Sequence, residues 1–182
     1  DQRRVIVSTN VAETSITIEG IRHVIDSGLA RVHRHDPRRG IDVLLVENIS
    51  RASSQQRAGR AGRTAPGTCT RLWSQAEDSA RPERDEPEIQ RLDLADALLQ
   101  LAALGAPSIS TFPLLDQPDA SSIDQAAALL RDLDAIDGNN ELTPTGRSMA
   151  QLPCHPRLSR FLIEAAQRSS LHRACTWAAL IG

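Results

Sequence analysis

Residues 55–64 read QQRAGRAGRT, three arginines and two glycines in a run that otherwise reads as helix. Each internal glycine costs a helix about 1 kcal/mol against alanine. Neighbouring guanidiniums repel unless solvent or an anion lies between them. A local rule broken this openly marks a site. If residues 54–63 are helical, Gln56, Arg60 and Arg63 fall at i, i+4 and i+7 on one stripe, while Arg57 points elsewhere. Ala58, Gly59, Ala61 and Gly62 would keep the flanks thin enough for close packing. Converging guanidiniums suit a phosphate-like anion, because their planar forks bind oxyanions in pairs and stay charged in any environment. A glutamine beside them can hold a water. The competing reading is a solvated basic face, which has no need of the glycines.

The charge distribution agrees with an anionic partner. The net charge of -2 conceals an asymmetry: residues 1–65 hold 11 Arg against 7 Asp and Glu, and residues 66–182 hold 10 against 16. The basic part is the candidate for the anion. All 21 basic residues are arginine, so no phosphate-binding loop of the GxxxxGK[ST] kind lies in the chain. At 182 residues and 40% hydrophobic, the length suits one or two globular domains. No apolar run approaches the ~20 residues of a membrane span and no signal peptide opens the chain, so a cytoplasmic location is expected. Cys69, Cys154 and Cys175 are far apart and without CxxC or His companions, which predicts ordinary buried thiols and neither a disulfide framework nor a metal site. A start at Asp1 without Met and a stop at Gly182 just after an apolar run suggest part of a larger protein.

Two regions follow from patterning. Val5–Val7 and Val24–Ile25 are short β-branched runs that predict two buried strands of a parallel sheet, with the polar stretch TNVAETSITIEG between them as a functional loop. LARVHRH and IDVLLVE flank DPRRG, which predicts a β-hairpin over 29–48 with a type I turn closed by a left-handed glycine. Arg31, Arg34, Arg38 and Arg39 gather on it against Asp36. Ser50, Ser53 or Ser54 can cap the arginine helix, and TCTRLW alternates like a closing strand. The charged, proline-bearing segment 74–87 suits a linker. Beyond it, five segments between Glu86 and Gly182 carry apolar residues at helical spacing.

With these pieces in place, QRAGRAGR resembles motif VI of superfamily 2 helicases of the DEAH-box class, and STNVAETSITIEGI resembles their motif V. Two long motifs in the family's order, with a hairpin between them, make a specific signal. DPRRG, TCTRLW and LPCHPRLSR look most like the bacterial HrpB branch. The resemblance covers the whole chain and implies an α/β part followed by an α-helical part. Residues 1–75 would close the second RecA-like domain, 76–153 would hold a linker and winged-helix domain, and 154–182 would begin a helical ratchet-like domain. It implies ATP with Mg²⁺, most of whose ligands lie elsewhere, a first RecA-like domain as partner, and single-stranded or duplex nucleic acid, RNA above DNA.

On matching positions, the resemblance makes Arg60 and Arg63 fingers on the γ-phosphate and Gln56 the residue that positions the attacking water, in agreement with the stripe. It leaves Arg57 structural or bridging. Thr9 and Asn10 would contact the nucleic-acid backbone, Ser15 and Thr17 would act as sensors between nucleotide and nucleic acid, and Glu19, where the family more often has Asp, would contact the ribose. The hairpin arginines would stand where a duplex is split. Two other functions compete: a winged-helix module that grips nucleic acid without an ATPase role, and an assembly scaffold using the acidic helical region. His33 and His35 lack a third metal ligand and read as solvated, phosphate-facing residues. Trp73 and Trp177 read as core, and aromatics at 2% with no tyrosine argue against a base-stacking RNA module.

Overall fold

The computed structural model describes residues 4–13, 18–36, 41–106 and 108–181. The chain divides into two compact units, Asp1–Glu86 and Pro87–Gly182. The first is mixed α/β and the second is built on helices.

In the first unit, β1 (His23–Asp26) pairs in parallel with β4 (Thr68–Arg71), with Val24 opposite Cys69. The hairpin strands β2 (Leu29–Asp36) and β3 (Ile41–Asn48) form an antiparallel ladder from Leu29–Asn48 to Asp36–Ile41. The predicted turn chemistry of residues 37–40 lies outside the described residues. Helix α1 (Arg51–Ala58) follows β3, and α2 (Gln75–Ala80) follows β4.

Three expectations need correction. Val5–Val7 is not a strand: no described strand lies beside it to complete a ladder, and Val5 and Val7 are 87% and 94% exposed. Val24–Ile25 does form a strand, but the sheet has only two strands here and leaves Ile25 exposed. The arginine helix stops at Ala58, with Gly59 as its C-cap and residues 59–62 in turns.

The linker-like composition of 74–87 conceals a segment tied to the first unit. Ser74 opens α2 with a capping box, its Oγ accepting from Glu77 N–H at 3.2 Å while the Glu77 carboxylate accepts from Ser74 N–H at 2.7 Å. Arg81 then turns back and is buried. Its Nη1 donates to the carbonyls of Gly28 and Ile49, both at 2.9 Å, and its guanidinium lies 4.3 Å from the centroid of the Trp73 ring. Trp73 is half-buried rather than core, its ring under Arg81 and its indole N–H donating to Asp78 at 2.8 Å.

Gly28 is required at this crossing. Its φ of +73° is left-handed, and a Cβ would run into the Arg81 guanidinium and stand 2.7 Å from the Trp73 ring. Gly28→Ala combines a left-handed penalty of about 1–2 kcal/mol with overpacking of about 1–3 kcal/mol. A stability loss of about 2–5 kcal/mol is expected, read from the denaturant midpoint of the first unit's unfolding.

The second unit holds the five predicted helical segments as α3 (Ala95–Ala103), α4 (Ala120–Asp132), α5 (Pro144–Ala150), α6 (Pro156–Gln167) and α7 (Leu171–Ile181), with a 3-10 turn at Glu88–Gln90. Leu94, Ala95 and Leu99 meet Ala126 and Leu130 of α4 and Met149 of α5 in one core. Pro144 sits in the first turn of α5 and Thr143 caps it, its Oγ1 accepting from Gly146 N–H at 2.9 Å. His155 caps α6 and contacts Asp93 at 3.0 Å, tying the entry of α6 to the entry of α3. Trp177 is 55% exposed rather than core, because α7 buries only Ala174. The thiols are likewise not buried: Cys175 lies on the outer side of α7 and is exposed, and Cys69 and Cys154 are half-buried.

Candidate functional site

The site is built around α1. Eight residues are too few for a helix to persist on its own in water, so its neighbours must fix it. Ser50 caps it, accepting from Ser53 N–H at 3.1 Å. The other leading N–H groups are satisfied by the returning segment: Ser50 donates to Asp85 Oδ1 at 3.1 Å, Arg51 to the Pro82 carbonyl at 2.9 Å and Ala52 to the Glu83 carbonyl at 3.0 Å. These are the donors that every helix leaves unpaired at its start, and the Asp85 carboxylate also suits the positive end of the helix dipole.

Arg57 fastens the same helix to the sheet. Its Nη1 donates to Asp26 Oδ1 at 2.9 Å and to the Leu29 carbonyl at 3.0 Å, and its Nε donates to Glu13 Oε1 at 2.6 Å. The side chains are 14%, 1% and 12% exposed for Arg57, Asp26 and Glu13, so the two carboxylates share one cation away from water. Burial alone would lower the Arg57 pKa; the bonds to Asp26 and Glu13 outweigh it and leave it raised. Arg57 is therefore structural.

Beyond Ala58 the chain leaves the helix, so Gln56, Arg60 and Arg63 do not form the single helical stripe that the spacing suggests. Gln56 is exposed on α1, Arg60 is half-buried in the following turn and Arg63 is exposed beyond it. The glycines are not explained by close packing within the chain. A Cβ on Gly62 would meet nothing within 4 Å, and one on Gly59 would touch only the Gln56 and Gln55 carbonyls at 3.4 and 3.5 Å. Ala61, between them, is 2% exposed and pins the turn. The thin side of QRAGRAGR therefore faces away from the described residues.

Thr9 and Asn10 are exposed, Asn10 opening a 3-10 turn, Asn10–Glu13, whose last residue is the Glu13 that holds Arg57. Glu19 is exposed in a turn before Gly20. Ser15 and Thr17 lie outside the described residues, as do Arg38 and Arg39. On the hairpin, Arg31 and Arg34 are three apart in one strand and so point to opposite faces. Arg31 is exposed beside Val46 and His33. Arg34 is committed to carboxylates: Nη2 donates to Glu47 Oε2 at 3.0 Å, Nε to the other Glu47 oxygen, and Nη1 to Glu86 at 2.6 Å. The bonds to Glu47 first, then Glu86, raise its pKa further above the ordinary arginine value. His35 pairs with Asp42 at 3.0 Å.

The sequence reading missed Glu13, Asp26, Ser53 and Asp85. A signal existed for Glu13, a carboxylate inside TNVAETS that would need a cation once packed. None existed for Asp85, which lies in a charged run like any solvated one.

Comparison with known proteins agrees with this geometry. Residues 1–65 match the helicase conserved C-terminal domain and residues 126–154 the winged-helix helicase associated domain. The ATP-dependent RNA helicase HrpA of Escherichia coli is 44% identical over 177 residues, covering 94% of this chain and 14% of the relative. The pre-mRNA-splicing factor ATP-dependent RNA helicase prp22 of Schizosaccharomyces pombe is 43% identical over 168 residues, 91% of this chain and 14% of its own length. A crystal structure of the E. coli DEAH/RHA helicase HrpB superposes with a TM-score of 0.89 at 39% identity, covering 95% of this chain and 22% of that one. The chain thus spans only about a seventh of the curated relatives' length. HrpA and HrpB match at similar identity, so they fix the family rather than the branch. With both of the family's matching segments in order and solved structures following the fold almost end to end, the chain belongs to the DEAH-box family of superfamily 2 helicases, as its C-terminal region.

Proposed function

We propose that this chain is the part of an ATP-dependent RNA helicase that completes the nucleotide site and grips the strand, so that ATP hydrolysis drives translocation or unwinding. The observation that carries the reading is the division of labour in QRAGRAGR. Arg57 is held inside the unit by Glu13 and Asp26, while Gln56 and Arg63 are exposed and Arg60 is half-buried beside glycines whose Cβ positions are open, which would leave room for another domain and its nucleotide.

In this reading a water attacks the γ-phosphorus, the bond to the β–γ bridging oxygen breaks, and ADP leaves with that electron pair. Gln56 orients the water, and Arg60 and Arg63 stabilise charge on the transferring oxygens. Charge supplied by a second domain makes the rate depend on domain closure, which is how hydrolysis becomes motion. Mg²⁺ would neutralise the β- and γ-oxygens. Among the described residues no group of three or more His, Cys, Asp or Glu could hold it, so its ligands would belong to the first RecA-like domain. Ser15 and Thr17 would sense the nucleotide and Glu19 would contact the ribose.

Thr9 and Asn10 would hold the strand's backbone, and Arg31, with Arg38 and Arg39, would meet the duplex. Arg34 would hold the hairpin in place through Glu47 and Glu86 rather than bind phosphate. A winged-helix part beyond the first unit, a ratchet-like part beginning at 154 and a cytoplasmic setting belong to the same proposal. No described helix is long and apolar enough to cross a membrane.

The test is ATP turnover and duplex unwinding by the full-length protein, with and without RNA. Exchanging residues 37–40 for Asn-Gly keeps the Arg34 ties and shortens only the tip. Unwinding should fall while RNA-stimulated hydrolysis persists. Equal loss of both would remove the separating role, and absence of RNA-stimulated hydrolysis in the unaltered protein would refute the whole reading.

A further inference from the structure

Ser53 sits in the first turns of α1 with its hydroxyl between two carboxylates. Its Oγ is 2.8 Å from Glu13 Oε2 and 2.9 Å from Asp85 Oδ2, and the residue is 8% exposed. A hydroxyl carries one proton, so it donates to one of these acceptors at a time. Glu13, 12% exposed, loses a bond where water has little access when it is not served, whereas the exposed Asp85 can turn to water, so the two choices differ in cost.

The two carboxylates come from opposite directions. Glu13 ends the 3-10 turn that begins at Asn10, and that turn is stiffened by Ala12 N–H donating to the Thr9 carbonyl at 3.3 Å. Its other oxygen is held by Arg57. Asp85 uses its other oxygen to accept from Ser50 at the start of α1, and the next residue, Glu86, holds hairpin Arg34. A displacement of the Thr9–Asn10 turn therefore reaches Ser53 through Glu13, and from Ser53 it reaches the segment that seats α1 and anchors the hairpin.

We propose that Ser53 is a positioning residue whose one hydrogen bond, directed either to Glu13 or to Asp85, couples strand binding at the Thr9–Asn10 turn to the placement of α1 and its phosphate-facing end. The inference rests on the helicase reading above. With the strand bound, Glu13 is drawn onto α1 and accepts the hydrogen bond, which releases Asp85; without it, Asp85 accepts the bond from Ser53 and α1 stays seated short of the active position. Ser53 touches neither nucleotide nor RNA in this account.

The experiment uses the full-length protein and a single-stranded uridine homopolymer, and reads the ratio of RNA-stimulated to RNA-free ATP turnover. Ser53→Ala should lower that ratio about fivefold or more, within the usual range of coupling between two sites, with RNA-free turnover and the half-saturating RNA concentration unchanged. Ser53→Thr, which keeps the hydroxyl, should restore it. Asp85→Asn can donate its amide to Ser53 and so commits the hydroxyl to Glu13; it should also lower the ratio, through higher RNA-free turnover. A wild-type ratio in Ser53→Ala, an equal fall of stimulated and RNA-free rates, or a wild-type ratio in Asp85→Asn overturns the inference. A wild-type protein that RNA does not stimulate fails differently, since it removes the helicase reading itself.

Discussion

Arg60→Ala in the full-length protein should abolish most ATP turnover while leaving RNA binding nearly intact. Arg60 is half-buried in the turn after α1, beyond the glycine that ends the helix. It is separated in role from Arg57, whose donors are spent on Glu13, Asp26 and the Leu29 carbonyl. A guanidinium placed against the transferring phosphoryl oxygens acts mainly in the transition state, and an arginine finger contributes on the order of 10³ to 10⁵ in rate. The loss should therefore fall on kcat rather than on affinity for the strand. The opposite assignment makes a different prediction: if Arg60 grips nucleic-acid phosphate, the substitution lowers RNA affinity and flattens its salt dependence by about one counterion. ATPase at saturating RNA, measured beside the salt slope of RNA affinity, separates the two. Normal turnover with a reduced slope would move Arg60 to the strand.

The same turn shows what was legible in the sequence. The run QRAGRAGR announces a site because glycines oppose helix, and the structure resolves that conflict by ending the helix at Ala58. The geometry inferred from unbroken helical spacing fails there for the reason that drew attention to the run. The hairpin was legible because two apolar-bearing runs flank a stretch with the Asp, Pro and Gly of a turn, and the structure adds its register, Leu29 opposite Asn48 to Asp36 opposite Ile41. Helices α3 to α6 were legible because they bury an apolar side against a shared core, and α7 by its apolar residues at helical spacing, although it buries only Ala174. Val5–Val7 has the composition of a strand, but strands are completed by neighbours, and none lies beside it among the described residues. The segment 74–87 was misleading for the converse reason. Its arginine and acids look solvated, yet Arg81 is buried over Trp73 with its donors on the Gly28 and Ile49 carbonyls, and Asp85 accepts from Ser50 at the start of α1, bonds that span more than thirty positions. Polar residues reveal their partners only after the chain is folded.

The largest stability effect should follow from Arg57→Ala. Two carboxylates, Asp26 and Glu13, converge on this guanidinium, and neither has enough exposure for water to replace it. Without the cation, Asp26 keeps only the Gly28 N–H at 2.9 Å, and its Oδ2 already has no hydrogen-bond partner among the described residues. Glu13 keeps only the Ser53 hydroxyl, which it shares with Asp85. Removing one member of a buried ion pair costs about 3–5 kcal/mol, chiefly because charge is left unpaired away from water. A domain the size of the first unit loses about 4–8 °C of melting temperature per kcal/mol, so a fall of tens of degrees, or failure to fold, is expected. Arg57→Lys should recover only part of it, because an ammonium cannot present the planar fork that reaches Asp26, Glu13 and the Leu29 carbonyl together. The double variant Arg57→Met, Asp26→Asn distinguishes charge from packing. By removing both the cation and one of its carboxylates it should be more stable than Arg57→Met alone, whereas additive losses would show that Arg57 acts through the surface it covers. The comparison also guards the catalytic assignment. Loss of turnover in Arg57 variants should track loss of folded protein, while in Arg60→Ala it should far exceed any loss of folded protein.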